Sequence, residues 1–262
     1  MGGEGKYRPG LERLAYSNLE RLRKNPYPGR GIVIGENAGG DIVHVYWIMG
    51  RSANSRNRIL VQEGSNLRTN LFDKANAGDT SLIIYNAMRV ENNVHIVSNG
   101  DQTDTIAEFV RDNPLEGFDQ ALLTRTYEPD DPNFTPRISG ESWVFLTSDK
   151  KGLLTQGLDE LSIIQRGRDG NPVHRFFRLQ RTPGIGHCIH TYSGAETPLP
   201  PFLGKPYPVP IGETIDQTAD IFWSTLNDEN KVAMVVKTID AKTGEVNYAI
   251  RNKLFPSATV SP

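Results

Sequence analysis

The chain has 262 residues, of which 37% are hydrophobic and 23% charged, and a formal net charge of -2. A chain of that length buries a full core without staples, and its near-neutral charge excludes a general attraction to nucleic acid or to an acidic membrane surface. Any anion site must therefore be a local arginine cluster. The single cysteine, Cys188, excludes an intramolecular disulfide and argues against a thiolate zinc site.

Met1 to Pro9 reads as a loose arm without the apolar core of a signal peptide. No apolar run reaches spanning length, so a cytoplasmic protein is expected. Leu11, Leu14, Ala15, Leu19 and Leu22 recur at helical spacing, and Asn25-Pro26 stops that helix. GIVIG around Ile32–Ile34 and IVHVYWIM from Ile42 to Met49 read as strands joined by the turn NAGGD. Their hairpin puts Arg30, at the start of one strand, beside Arg51, just after the other. The run GRSANSRNR then mixes Arg51, Arg56 and Arg58 with Ser52, Asn54, Ser55 and Asn57. Arginine forks supplemented by hydroxyls and amides suit a phosphate; a solvated basic loop is the alternative. No Walker pattern is present.

Residues 64 to 78 are polar and read as loop. SLIIYNAMRV and NVHIVSNG read as a second hairpin around Glu91-Asn92-Asn93, followed by a helix in DTIAEFVRD with Asp101 or Thr103 as its cap. A short helix over 118–124 leads to YEPDDPNFTPRI, where Pro129, Pro132 and Pro136 stiffen the backbone. Asn86, Arg89, Asn99, Thr103, Asp104, Tyr127, Glu128, Asn133, Thr135 and Arg137 are more polar groups than ordinary turns need. The expectation is that this cluster meets the arginine cluster in space.

ISGESWVFLTSD, LSIIQRGR, HRFFRLQR and HCIHTYS read as further strands, and residues 197–212 as a proline-rich loop that either covers a site or contacts a partner subunit. Thr214 to Leu226 reads as helix, and KVAMVVKTID with EVNYAIRN as a closing hairpin. Without a repeat or a clear linker, the pattern predicts one α+β domain over 1–262, with 1–26 as N-terminal arm and helix. His187 and His190 fall on opposite faces of their strand, so no metal is expected there. Cys188 lacks an identifiable base, and no GxSxG motif occurs.

The segments YPGRGIVIG, GRSANSRNR, YNAMRV, VSNGDQTDTI and YEPDDPNFTPRI, in this order, resemble the archaeal-type IMP cyclohydrolases and their bacterial relatives. The resemblance covers about Pro28 to Ser139. It implies a four-layer αββα sandwich like that of N-terminal-nucleophile hydrolases, without autoprocessing. It also implies an enzyme of purine biosynthesis that cyclises and dehydrates 5-formamidoimidazole-4-carboxamide ribonucleotide to inosine monophosphate, with no cofactor. On that reading Arg30, Tyr85, Tyr127 and Glu128 are the catalytic candidates. Arg51, Ser52, Arg56, Asn57, Arg58, Asn86, Asn99, Gly100, Thr103, Asp104, Asn133 and Arg137 are the substrate-binding candidates. The partner is a small-molecule purine ribonucleotide, not nucleic acid or membrane, and a homo-oligomer stays open. The competing readings are an amide hydrolase of related fold and a non-catalytic purine-nucleotide-binding protein.

Overall fold

A computed structural model describes residues 9–76, 78–144 and 159–254. In chain order its elements are α1 (Pro9–Lys24), β1 (Gly31–Glu36), β2 (Ile42–Met49), α2 (Ala53–Arg56), β3 (Arg58–Glu63), β4 (Asn66–Leu71), β5 (Asn86–Glu91) and β6 (Val94–Ser98). Then follow α3 (Gln102–Asp112), α4 (Gly117–Leu123), β7 (Arg137–Trp143), β8 (Asp159–Arg166), β9 (Pro172–Leu179) and β10 (Ile185–His190). The last are β11 (Tyr207–Pro210), α5 (Ile215–Thr225), β12 (Lys231–Ile239) and β13 (Val246–Asn252).

The fold is α+β, with two antiparallel sheets and few helices. One sheet runs β11-β10-β1-β2-β12-β13 and the other β3-β4-β5-β6-β7-β8-β9. The two sheets face each other. His44 Nε2 on β2 lies 2.7 Å from Ser142 Oγ on β7, and a side chain at Gly140 would strike Ile34 of the opposite sheet. The central strand β2 is buried at every position, His44 included, as a strand with a layer on each face should be.

Helices α1 and α5 lie against the first sheet, α3 and α4 against the second. Helix α1 buries Ala15, Asn18, Leu19 and Leu22, one stripe at helical spacing. Each leucine buried there contributes about 1.5–3 kcal/mol. Helix α5 starts at a capping box in which Thr214 and Gln217 satisfy each other's backbone N–H groups. Among the described residues no helix is long and apolar enough to cross a membrane.

Four sequence expectations need correction. The stretch from Gly64 is not all loop: β3 and β4 form a hairpin turning at Gly64, whose φ of 62° suits glycine. Its alternation of buried Leu67 and Thr69 with more exposed neighbours is masked by polar composition. The strand expected from Ser81 begins only at Asn86, because residues 81–83 form a turn. Helix α3 has no side-chain cap. Asp101 is held instead by Arg125 and Arg137, and Thr103 Oγ1 donates to the Gly100 carbonyl. The proline-rich stretch is not a pure loop, since β11 pairs with β10. The arm at 1–8 and the end of the expected strand beyond Val144 lie outside the described residues.

Candidate active site

The β1–β2 hairpin pairs Gly31 with Trp47, which brings Arg30 and the segment after Met49 to one edge. Gly29, at φ 73°, turns the chain into β1, and a side chain there would strike Thr191. Arg30 is fixed by its own backbone: its N–H donates to Thr191 Oγ1 and its carbonyl accepts from the Thr191 N–H. From the other sheet comes the loop after α4. The Glu128 N–H donates to the Thr135 carbonyl, closing that loop on itself.

Arg30 and Glu128 meet in a two-pronged ion pair. Nη1 donates to Oε1 at 2.8 Å and Nη2 to Oε2 at 2.7 Å, while Nη1 also donates to the Asn99 carbonyl at 2.8 Å. Both residues are buried. Burial opposes the charge on Arg30, but Glu128 holds its guanidinium well above the ordinary value. Burial likewise raises the Glu128 carboxyl, and Arg30 offsets part of that rise. Among the described residues the pair leaves the Nε–H and one Nη2–H of Arg30 uncommitted.

Around this pair lies a cavity of about 410 Å³. Arg58, Arg51 and Ser52 line it together with Arg30, Glu128 and Asn133. Arg58 is buried, yet among the described residues it donates only to the carbonyls of Ser55 and Met49. Burial lowers its pKa, and among the described residues no carboxylate pairs with it. A desolvated cation without a counter-ion at a cavity wall favours an anionic occupant. Arg51 donates to the Ala195 carbonyl and stacks over Tyr27, 4.9 Å from the ring centroid. Tyr27 in turn stacks on Tyr192 at 5.9 Å.

Ten of the expected site residues do not line this cavity. Tyr85 is nearest in effect. Its hydroxyl lies 2.6 Å from that of Tyr46, and it acts electrostatically on both Arg30 and Arg58. Tyr127 points its hydroxyl at the Gly170 carbonyl, 2.7 Å away. Arg56 reaches the Gly50 carbonyl, Asn230 and Glu229. Asn57 braces the Asp73 segment. Asn86 and Arg89 share Asp104, between β5 and α3.

Asn99, Gly100, Thr103 and Arg137 support the wall from behind. The Asn99 side chain ties Pro136, Ile138 and Gln102 together, and Arg137 bonds Thr126, Asp101 and Gln102. Thr103 contacts the Ser98 hydroxyl. A side chain at Gly100 would strike Gln102 and Arg137.

Thr135, part of the polar cluster expected to meet the arginines, lines the cavity, as do Tyr27, Asp130 and Tyr192, which were not among the expected site residues. Asp130 accepts from both the backbone and the hydroxyl of Thr135, and that hydroxyl also meets the Tyr192 phenol. Burial raises the Tyr192 phenol, which therefore keeps its proton. Tyr27 sits in the YPGRG motif and Asp130 in the proline-stiffened loop. Tyr192, far along the chain in HTYS, has no local signal. Leu82, Ile83 and Leu199 add an apolar wall. Among the described residues no three His, Cys, Asp or Glu side chains gather as metal ligands would.

The family described as IMP cyclohydrolase-like protein matches residues 27–244. A protein named IMP cyclohydrolase from Methanothrix thermoacetophila is 35% identical over 117 residues, 44% of this chain and 56% of that relative. The match thus spans little more than half the relative's length.

Proposed function

We propose that this chain, which belongs to the IMP cyclohydrolase-like family, cyclises and dehydrates 5-formamidoimidazole-4-carboxamide ribonucleotide to inosine monophosphate in purine biosynthesis. The observation that carries the reading is one cavity shared by a buried Arg30–Glu128 pair and by Arg58 and Arg51, cations with no carboxylate partner among the described residues. The first can act on a polar reacting centre and the second can hold a phosphate. The two antiparallel sheets and their helices are taken as a single domain with the four-layer αββα arrangement of N-terminal-nucleophile hydrolases, without autoprocessing.

In the reaction the carboxamide nitrogen attacks the formyl carbon, a C–N bond forms, and the formyl oxygen becomes a hydroxyl. That hydroxyl departs as water, with one proton lost from the carboxamide nitrogen and one from the formamido nitrogen. Holding both groups at attack distance supplies much of the acceleration. Arg58, Arg51 and Ser52 bind the 5′-phosphate. The uncommitted N–H groups of Arg30 stabilise charge growing on the formyl oxygen.

Glu128 aims Arg30 and accepts the carboxamide proton. Its place in the cavity wall favours it over Tyr127. Tyr192, protonated and tied through Thr135 to Asp130, delivers a proton to the departing hydroxyl. Tyr85 shapes the field behind the arginines. Asn133, whose Oδ1 accepts from the Leu199 N–H, keeps its amide N–H groups for the ribose or the ring.

The test is a cyclisation assay. Purified protein is mixed with the formylated ribonucleotide and inosine monophosphate is followed by chromatography. Formation well above the uncatalysed rate is expected; folded protein that gives none overturns the reading.

A further inference from the structure

A second cavity, of about 890 Å³, opens between the end of α1 and the proline-rich stretch. Its described lining carries three cations, Arg21, Lys24 and Lys205, against one carboxylate, Glu196. None of the three cations is in an ion pair among the described residues. Arg21 is held over the buried Tyr207 ring, 4.6 Å from its centroid. At the same wall His190 is buried, packed 4.3 Å from the Phe202 ring. Its Nδ1 lies 2.9 Å from the Tyr192 carbonyl, so that nitrogen carries the proton. Its Nε2 has no partner among the described residues and is left as a hydrogen-bond acceptor. Burial drives His190 down to about 4, which keeps the ring neutral and Nε2 accepting at physiological pH.

Cations without counter-ions beside a neutral acceptor define the complementary ligand. It bears an anion and a hydroxyl or N–H donor. We propose that this cavity is a second binding site, separate from the Arg30–Glu128 cavity, for a nucleoside or sugar monophosphate. Arg21, Lys24 and Lys205 take the phosphate, and His190 Nε2 takes a hydroxyl. The volume lies within the range that holds such a ligand. The wall is shared: Tyr192 and Leu199 line the first cavity, while Ser193 and Pro200 line the second. Arg51 of the first cavity grips the Ala195 carbonyl in the same segment.

The experiment is titration calorimetry on the full chain carrying Arg58→Ala, which weakens phosphate binding in the first cavity. Adenosine 5′-monophosphate is expected to bind at one site. Adding Arg21→Glu and Lys205→Glu is expected to weaken that binding at least tenfold. Ribose 5-phosphate should compete and ribose should not; a failure of ribose 5-phosphate while the nucleotide binds would select the nucleoside form. Should Arg21→Glu unfold the chain, Lys205→Glu alone, on an exposed loop residue, carries the same expectation. Absent binding, binding indifferent to the charge reversals, or equal competition by ribose would overturn the proposal. So would a self-associated protein, seen by sedimentation, whose second copy fills this face and leaves when Arg21 is reversed.

Discussion

Arg30 and Glu128 lie 98 positions apart in the chain and meet as a buried, two-pronged ion pair between the two sheets. Such a pair is strongly destabilised when one partner is removed, because the other charge stays buried alone. Glu128→Ala is therefore expected to lower stability by about 3–5 kcal/mol, read from denaturant unfolding. A loss below 1 kcal/mol would mean that Arg30 escapes to solvent.

Arg58 and Arg56 are two positions apart but face different surroundings. Arg58→Ala should reduce kcat/KM by roughly tenfold to a hundredfold, the equivalent of one charge-assisted hydrogen bond of about 1.5–3 kcal/mol. The effect should fall on KM. Arg56, engaged with Asn230 and Glu229, should change kcat/KM by less than about threefold when replaced by alanine. Steady-state kinetics on the two variants separates them.

Lys237 is fully buried, and its Nζ has no hydrogen-bond partner among the described residues. Burial drives its pKa from 10.5 down to about 7. The unfolded chain then binds more protons than the folded one between those values, so stability should rise with pH from about 7 toward 10.5. Lys237→Met should flatten that rise and stabilise the protein most at pH 7 and below. Urea unfolding across this pH range, on wild type and variant, checks both statements. Parallel curves would contradict them.

Gly31 lies against the face of Trp47, and a Cβ there would come within 1.8 Å of the ring. Gly31→Ala should cost about 1–3 kcal/mol through overpacking and move Arg30 with it. A thermal melt should show the loss, and activity should fall further than stability alone explains.

Strands β1, β2, β6 and β12 were legible because apolar runs bounded by turn residues are a local signal. The β3–β4 hairpin was not, because its buried positions are spread among arginines, asparagines and glutamines. The same division holds in the site. Arg30, Arg51 and Arg58 stand out in the sequence as arginines clustered around the turns at either end of one hairpin, and all three line the cavity. Asn86, Asp104 and Arg137 look equally functional in sequence, yet their hydrogen bonds are spent joining helix α3 to its sheet. Polar density alone cannot separate a ligand-facing group from a structural one. Tyr192 reaches the cavity only because β10 pairs with β1, a long-range fact with no trace in its own neighbours.

The most direct measurement compares substrate binding and single-turnover cyclisation in Glu128→Gln and Arg58→Ala. The account predicts opposite signatures. Glu128→Gln should bind the formylated ribonucleotide nearly as wild type does but form inosine monophosphate at least a hundredfold more slowly. Arg58→Ala should bind weakly and, once saturated, turn over at close to the wild-type rate. Equal and small effects in both variants would contradict the assignment of chemistry and phosphate binding to this cavity.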